Sequence, residues 1–504
     1  MTDQTIILGG PGTGKTTKLM SMIEEELAGG TNPERIALCS FTTKAASEAV
    51  DRACEKFGLS DKKFPWFRTI HSAAFRLIGA NRGQMMNFSN YKQIGELLGL
   101  KFSFKAIDAE EAMSSAAQTG DKFLFLDGLA RNRMVSLRDQ WQEFDGELDW
   151  FGLELFSKTL KEYKQRTGLY DFTDLLEQCL EQKKLVDVDV AIIDEAQDLS
   201  RLQWAVVDQI FSDVPRKIIA GDDDQAIYRW GGADVEEFLA MPGKQIVLEK
   251  SYRLPEAVFD FGQKIINNVD NRIQKNYKPR AEQGDVITHF FLDEVKVTPE
   301  SGTWLMLARN AFFLDRLEEL ATASGMLFRS RKKNSVDRAL AEAIYTWEAM
   351  RKGKKAKGKD IRKIYSLLGA GQGVAKEHKS IKIEANKSYT IKQLQMHFGL
   401  KTDDVWFKAF AHGMTFELIE YYRSVMRSGE KLLDEPKIII DTIHGVKGGE
   451  ADNVILLSDM TKKTYDAYIR SEADEHRVFY VGATRARHKL HVIAPSTDKF
   501  YSFQ

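Results

Sequence analysis

The sequence predicts an α/β protein whose parallel sheets are flanked by helices. The apolar run "TIIL" at 5–8 is followed by a glycine-rich turn and then by a helical pattern from Thr16 to about Leu27. The run "RIALCS" at 35–40 is followed in the same way by the helical pattern "TKAASEAVDRACEKF". Repeated strand–turn–helix units favour a parallel sheet, because each helix carries the chain back across the sheet before the next strand begins.

Further short apolar runs predict seven more buried strands, at 190–193, 217–220, 245–248, 304–308, 437–441, 453–457 and 489–494. Two stretches, at about 85–165 and 331–434, lack such runs and have helical patterns. A chain of 504 residues is long enough for two to four domains of ordinary size. The sequence therefore alternates between sheet-forming and helix-rich parts.

The composition limits the class of protein. The formal net charge is −1, so a nucleic-acid partner would have to be bound by a local basic patch. The three cysteines show no metal-binding spacing, which indicates a reducing compartment without a disulfide framework. No apolar run approaches membrane-spanning length, and "MTDQTIILGG" is too short and too glycine-rich for a signal peptide. We therefore expect a cytoplasmic protein without a membrane partner.

The segment "GGPGTGKT" at 9–16 fits the phosphate-loop pattern G-x-x-x-x-G-K-[ST] and joins a predicted strand to a predicted helix. In that context the loop N–H groups and the helix N-terminus point at a phosphate. Lys15 would reach the β- and γ-phosphates, and the Thr16 hydroxyl would bind Mg²⁺. The candidate nucleotide-binding residues of the loop are Gly9, Gly10, Pro11, Gly12, Thr13, Gly14, Lys15, Thr16 and Thr17.

The segment "VAIIDEAQD" at 190–198 places two carboxylates directly after a buried apolar run. Asp194 suits the role of a Mg²⁺ ligand, and Glu195 suits the role of a base that activates water. Acidic residues at a strand end more often form a solvated turn, but the phosphate loop favours the functional interpretation. Together the two segments predict an NTPase that uses ATP and Mg²⁺.

Ten motifs occur in one order between residues 9 and 487. They are "GGPGTGKT", "LCSFTTKAASE", "RTIHS", "YDFTDLL", "IIDEAQD", "GDDDQAIYRWGGAD", "LEKSYR", "LARNA", "DTIHGVKGGEADNVILL" and "HRVFYVGATRAR". In their order and wording they resemble the motifs of superfamily 1 DNA helicases of the UvrD, PcrA and Rep type. One such motif would be weak evidence, whereas ten in order are specific.

The resemblance implies two RecA-like P-loop motor domains with ATP hydrolysed in the cleft between them. Each motor would carry an inserted, mainly helical accessory domain. We place the first motor at 1–84 with 166–244 and its insertion at 85–165. The second motor is placed at 245–330 with 435–504 and its insertion at 331–434.

The resemblance also assigns roles around the nucleotide. Gln225 would touch the γ-phosphate or its attacking water, and Arg253 and Arg485 would sense the γ-phosphate. Tyr252 would stack on the base, and Glu450 would contact the ribose. The expected catalytic residues are Lys15, Glu195, Gln225, Arg253 and Arg485.

A single strand of DNA is held by aromatic platforms for bases and by polar or basic groups for phosphates. The candidates in the motifs are Phe41, Thr42, Lys44, His71, Tyr228, Trp230, Arg309, Asn310, His444 and Lys447. Phe41 could instead be the last core residue of its strand, and His71 a satisfied core residue. The lysine-rich run "RKGKKAKGKDIRK" at 351–363 fits either a solvated loop or a contact to duplex DNA.

The implied function is an ATP-dependent DNA helicase that moves 3′-to-5′ on single-stranded DNA and unwinds duplex. Its partners would be single-stranded DNA and the single-strand/duplex junction, with replication or repair proteins left open, and we expect a monomer. One alternative is a translocase that strips bound proteins with little unwinding. Another is a non-motor DNA-binding regulator with a degenerate ATPase, against which the complete catalytic set argues.

The sequence differs from the pattern of superfamily 1 helicases in several places. Relatives begin with a helical segment whose glutamine reads adenine, whereas only eight residues precede Gly9, and Gln4 is a poor substitute. Thr17 stands where relatives often carry arginine, so we expect weak discrimination of adenine. Relatives typically read W-R-G-A where this chain reads "WGGA", so Gly231 replaces the arginine. The loss of this cation should weaken DNA binding beside Trp230. The chain also stops soon after "VGATRAR", so we expect no nuclease.

Overall fold

The computed structural model describes residues 3–41, 43–103, 118–144 and 148–503. The chain forms two compact units. The first comprises Met1–Gln283 and Ala467–Thr484, and the second comprises Gly284–Asp466 and Arg485–Gln504. Each unit contains a six-stranded parallel sheet with helices around it, which confirms the predicted fold class.

The sheet of the first unit has the strand order β3-β2-β4-β5-β1-β6. Its strands are β1 Asp3–Leu8, β2 Ile36–Ser40, β3 Trp66–Thr69, β4 Val190–Asp194, β5 Arg216–Gly221 and β6 Lys244–Val247. Leu8 pairs with Gly221, and Ser40 pairs with Asp194. The segments that follow β1, β2, β4 and β5 therefore emerge at one edge of the sheet, where ligands bind in open α/β folds.

The sheet of the second unit has the strand order β7-β14-β13-β8-β12-β9. Its strands are β7 Asp285–His289, β8 Trp304–Ala308, β9 Phe328–Ser330, β12 Ile438–Thr442, β13 Ala451–Leu457 and β14 Ala486–Ile493. A separate antiparallel pair, β10 Ala356–Lys357 and β11 Ser388–Tyr389, lies in the stretch that was predicted to be helical.

The described helices, in chain order, are α1 Lys15–Ala28, α2 Thr43–Phe57, α3 Ile70–Leu77, α4 Phe88–Leu98, α5 Thr119–Arg133, α6 Leu137–Glu143, α7 Trp150–Thr167, α8 Phe172–Glu181, α9 Arg201–Ile210, α10 Val235–Leu239, α11 Glu256–Ile266, α12 Leu314–Ala323, α13 Arg338–Arg351, α14 Gly358–Leu367, α15 Ile391–His397, α16 Trp406–Ala409, α17 Phe416–Arg427, α18 Lys462–Arg470 and α19 Glu472–Ala483. None of the described helices is long and apolar enough to span a bilayer.

The two helix-rich stretches build their cores differently. Helices α4 to α7 enclose a small core of their own, with Ile94, Phe123 and Phe156 at its centre. In the second unit one core runs from the sheet into the helices of 331–434, because Met306 and Trp347 belong to the same buried cluster. All nine strands predicted from apolar runs are present.

The compact units do not follow the predicted borders everywhere. Residues 245–283 and 467–484 belong to the first unit, although the sequence placed both segments with the second motor. Within that unit α19 packs on α11, and a Cβ at Gly262 would lie 3.1 Å from Cγ2 of Thr484. The division into two motors and two insertions stays a prediction.

Candidate nucleotide and nucleic-acid sites

The loop between β1 and α1 is held in shape by its own side chains. Gly12 and Gly14 have φ values of 69° and 81°, which favour glycine because a Cβ is disfavoured there. The Thr13 hydroxyl donates to the carbonyl of Gly10 over 2.8 Å, and Lys15 Nζ donates to the carbonyl of Gly9 over 2.9 Å. The Lys15 ammonium therefore lies over the loop, in front of the helix N-terminus that would receive a phosphate.

The segment 251–253 packs directly on this loop. The Ser251 hydroxyl donates to the carbonyl of Pro11 over 2.7 Å, and the Tyr252 N–H donates to the carbonyl of Gly12 over 2.8 Å. A Cβ at Gly12 would lie only 2.2 Å from Cβ of Arg253. Tyr252 is 70% exposed beside Gly14, so its ring is accessible. The contacts bring Tyr252 and Arg253 to the phosphate loop, as their predicted roles require.

The acidic pair lies at the end of β4. Asp194 is buried, and its Oδ1 accepts the Glu195 N–H over 3.0 Å. Burial and repulsion from Glu195 raise the pKa of Asp194 to about 7, whereas the charge of Lys15 opposes the rise. A buried carboxyl of this kind needs a nearby cation to stay ionised, which fits a Mg²⁺ ligand together with the Thr16 hydroxyl.

Glu195 is held in an unusual conformation. Its φ of 54° lies in the left-handed region, which is rare for a non-glycine residue and is often found at functional sites. Gln197 Nε2 donates to Glu195 Oε2 over 2.7 Å, while Gln197 Oε1 accepts the Asp222 N–H over 2.9 Å. One buried amide thus links the predicted base to the segment that begins after β5.

That segment contains Gln225, which is buried and donates from Nε2 to Asp222 Oδ2 over 2.6 Å. The Asp222 carboxylate is itself fully buried. Burial alone would raise the pKa of Asp222, but the ammonium groups of Lys275 and Lys15 outweigh that effect and lower it. Lys15, Asp194 and Gln225 are therefore parts of one electrostatically connected site.

Three cations to which the motifs assigned no role surround the acidic residues 222–224. Lys275 Nζ lies 3.1 Å from Asp222 Oδ1 and 3.0 Å from Asp224 Oδ2, and it also donates to Asp223. Arg272 binds both oxygens of Asp224, over 2.7 and 2.6 Å. The three carboxylates are close enough to hold a metal ion, but the Lys275 ammonium lies among them instead.

The third cation, Arg477, donates from Nε to the carbonyl of Asp223 over 3.0 Å. A signal for such cations was present, because three buried carboxylates in a row require compensation. The sequence did not indicate which lysines and arginines would supply it.

A row of aromatic rings lies beyond Gln225. The rings of Phe41 and Tyr228 are stacked, with centroids 5.3 Å apart and planes at 26°. Tyr228 and Trp230 meet edge to face, with centroids 5.9 Å apart. All three residues are half-buried. The row is thus partly accessible, as a base-stacking platform requires, while Thr42 and the side chain of Lys44 lie outside the described residues.

His71 lies in the first turn of α3, beside a cavity of about 640 Å³ that Arg68 and Ser72 also line. Its ring meets Phe172 edge to face, with centroids 6.2 Å apart. Burial lowers the pKa of His71 to about 4, although the charge of Asp171 acts in the opposite direction. The imidazole is therefore neutral at pH 7, and any contact with DNA would be a neutral hydrogen bond or ring contact.

The remaining candidates lie in the second unit. Arg309 and Asn310 are buried; the Asn310 amide donates to Thr464 Oγ1 over 2.8 Å and accepts the Thr461 N–H over 2.9 Å. His444 and Lys447 are both half-buried. The roles expected of these residues toward DNA stay predictions.

Two residues of the second unit that were predicted to contact the nucleotide, Glu450 and Arg485, form hydrogen bonds with other residues of this chain. Glu450 is exposed and accepts Arg487 Nε over 2.8 Å. Arg485 is buried, and its Nη1 donates to the carbonyl of Gly449 over 3.2 Å. Their roles toward ribose and phosphate stay predictions.

Comparison with known families agrees with this geometry. Residues 1–245 match the UvrD/REP helicase N-terminal domain, and residues 314–497 match the UvrD-like helicase C-terminal domain. The chain belongs to the UvrD/REP helicase family. The segment 246–313, which contains Arg253, Arg272 and Lys275, lies between the two matched ranges.

Individual members of the UvrD/REP family are similar over part of their length. DNA helicase II of Haemophilus influenzae is 27% identical over 372 residues, which are 67% of this chain and 48% of that protein. DNA helicase II of Escherichia coli is 26% identical over 59% of this chain and 44% of its own length. The ATP-dependent DNA helicase PcrA of Bacillus subtilis is 26% identical over 56% and 40%. The chain spans less than half the length of these relatives.

Proposed function

We propose that this protein is an ATP-dependent DNA helicase that moves 3′-to-5′ along single-stranded DNA and unwinds duplex. The observation that carries the proposal is the short chain path from Gln225, beside the phosphate loop, to Tyr228 and Trp230 in the aromatic row. A nucleotide-dependent shift of this segment would move a base-stacking platform. Membership of the UvrD/REP family supports the same activity.

At the nucleotide site each residue has a chemical task. Lys15 and the loop N–H groups hold the phosphates, while Thr16 and Asp194 would hold Mg²⁺, which supplies positive charge to the phosphate oxygens. Glu195 accepts a proton from the water that attacks the γ-phosphorus. Gln225 orients that water, and Arg253 stabilises the charge on the transferred phosphoryl group. Arg485 is proposed for the same task as Arg253.

Single-stranded DNA would be bound by the aromatic row of Phe41, Tyr228 and Trp230. Stacking on aromatic rings tolerates any base, because every base has a π face. A motor that must pass along arbitrary sequence needs this property. His71 would add a neutral contact near the same edge of the sheet.

The second insertion supplies a basic surface for the duplex ahead of the junction. Residues 351–400 contain thirteen lysines and arginines against three acidic residues, although the whole chain has a net charge of −1. Lys352, Lys354, Lys355, Lys357 and Lys359 are exposed, and no ion pair is formed by them within the described parts of the chain. Unpaired exposed lysines can release counterions from a phosphate backbone. This charge favours the duplex contact over a solvated loop.

The test is strand displacement on partial duplexes that carry either a 3′ or a 5′ single-stranded tail, with and without ATP. We expect ATP-dependent unwinding from the 3′ tail by the wild-type protein and none by Lys15→Ala. Trp230→Ala should keep ATP binding but weaken single-strand affinity about 5- to 150-fold, equivalent to ~1–3 kcal/mol of lost stacking. Unwinding that prefers the 5′ tail would overturn the polarity.

A parallel assay separates the rival activities. Translocation along single-stranded DNA with displacement of a bound protein, but without duplex unwinding, would favour the stripping translocase. ATP-independent DNA binding that Lys15→Ala leaves unchanged, with no hydrolysis by the wild type, would favour the non-motor regulator.

A further inference from the structure

Lys275, Arg272 and the carboxylates of residues 222–224 form an ion cluster, and removing these charges from water costs a large desolvation free energy. The side chains of Lys275 and of all three aspartates are completely inaccessible to solvent. Apolar residues of similar volume often stabilise a fold as well as a buried ion cluster does, so stability alone does not account for these charges. Such clusters can instead fix one arrangement of the groups they touch.

The two cations share Asp224 but differ in their other neighbours. Lys275 contacts Asp222 Oδ1, while the other oxygen of Asp222 accepts the Gln225 amide. Arg272 binds both oxygens of Asp224 and also contacts Asn267 and Gln274. Lys275 is therefore one residue removed from Gln225, whereas the contacts of Arg272 do not include Asp222.

The direction of the Gln225 amide follows from this arrangement. A carboxylate only accepts hydrogen bonds, so the amide nitrogen of Gln225 must face Asp222. The amide oxygen is then turned the other way, and it is the group that can accept a hydrogen bond from the water molecule that attacks the γ-phosphate. If the Asp222 carboxylate turned, both ends of the amide would change their direction.

We propose that Lys275 is a positioning residue for ATP hydrolysis, which fixes the Asp222 carboxylate and through it the side chain of Gln225. Lys275 lies outside the recognised motifs and outside both matched family ranges. The proposal rests on the proposed ATPase function. It assigns to the cluster a role in the rate of hydrolysis that is separate from its contribution to folding.

The experiment measures kcat and KM for ATP with saturating single-stranded DNA for four variants: Lys275→Met, Arg272→Met, Gln225→Ala and the double variant Lys275→Met/Gln225→Ala. We expect Lys275→Met to lower kcat about 10- to 100-fold, because small displacements of catalytic groups have effects of this size, with little change in KM. Arg272→Met is the matched control, since it removes a cation from the same cluster whose side chain is only 2% exposed. It should be destabilised but keep kcat within about two-fold of the wild type.

The double variant tests whether Lys275 acts through Gln225. If it does, adding Lys275→Met to Gln225→Ala lowers kcat no further, because residues that act as one unit have non-additive effects. Multiplicative losses would overturn the proposal, and so would an equal loss of kcat in Arg272→Met.

Lys275→Met could unfold, because it leaves buried carboxylates uncompensated. The variant Lys275→Met/Asp223→Asn removes one of those charges while leaving Asp222 without its lysine, and circular dichroism reports its folding. It should still show the low kcat, whereas a wild-type kcat would overturn the proposal. Absence of ATP hydrolysis by the wild-type protein would instead refute the ATPase function itself, and hydrolysis that survives both Lys15→Ala and Gln225→Ala would refute its assignment to this site.

Discussion

Replacing Gly12 by alanine tests the packing of the 251–253 segment on the phosphate loop. Gly12 has a φ of +69°, and an added Cβ would lie 2.2 Å from Cβ of Arg253 and 3.0 Å from its backbone N. The substitution therefore combines a disfavoured backbone conformation with an overlap against a neighbouring segment. The overlap involves a backbone nitrogen as well as a side chain, so rotation of the Arg253 side chain alone cannot relieve it.

The two effects have separable magnitudes. A non-glycine residue in the left-handed region costs roughly 1–2 kcal/mol. Carbon atoms in contact prefer a separation of about 3.5–4.0 Å, so the segment would have to retreat by more than about 1 Å. Overpacking of this kind costs about 1–3 kcal/mol. Gly12→Ala should therefore lower the free energy of unfolding by about 2–5 kcal/mol.

Gly58→Ala is the matched control for the backbone effect. Gly58 has a φ of +65°, and an added Cβ would meet no described atom within 4 Å. The control should therefore lose only about 1–2 kcal/mol. Urea unfolding of nucleotide-free protein, followed by circular dichroism, measures both variants. Equal losses in the two variants would refute the close packing of Arg253 on Gly12.

Three further predictions concern DNA binding and pH. A Cβ at Gly231 would meet no described atom within 4 Å, so Gly231→Arg should fold normally. The added arginine should strengthen single-strand affinity and DNA-stimulated ATP hydrolysis. Unchanged values would refute the idea that Gly231 weakens DNA binding beside Trp230. Replacing Lys354, Lys355 and Lys357 by alanine should reduce the salt slope of duplex binding by about 2.7, as ~0.9 per lost phosphate contact predicts, and a slope equal to that of the wild type would exclude this surface. The pKa of His71 is lowered by burial to about 4 from an ordinary 6.5, so the unfolded chain takes up its proton first. The contribution of His71 to stability should therefore be complete above pH 6.5 and be lost as the pH falls toward 4, and His71→Gln should flatten that part of the pH profile.

The sequence predicted the central strands and missed most of the edge strands, for a physical reason. A central parallel strand is covered on both faces and is an unbroken apolar run, as "VAIID" in β4 and "WLMLA" in β8 are. The edge strands β3, β7 and β9 are short or partly exposed, and β7 "DVITH" has polar residues at three of its five positions. The antiparallel pair β10–β11 has only two residues in each strand, too few to show a period.

The position of the candidate site in the fold was predictable where its residues are local in the chain. The phosphate loop, the acidic pair and the 221–234 segment each combine a strand end with candidate functional residues within about ten positions. The cations of the buried cluster come from distant segments, because Lys275 pairs with a carboxylate 52 positions away and Arg477 with a carbonyl 254 positions away. Three adjacent aspartates directly after a buried strand are a signal from which a need for cations could have been inferred, but only tertiary contacts determine which ones are used.

The segment from Asp222 to Trp230 is built to transmit a displacement. Asp222 to Ile227 are all buried, so this part of the segment cannot relax into solvent. Its far end is also held, since Arg133 donates to the carbonyl of Arg229 over 3.3 Å and Arg229 lies 3.4 Å from Asp474. The conformational freedom of glycine comes only beyond the rings, at Gly232, which has a φ of +99°. A shift of Gln225 on hydrolysis would therefore move Tyr228 and Trp230 with it, and the chain would absorb the change only after these two rings.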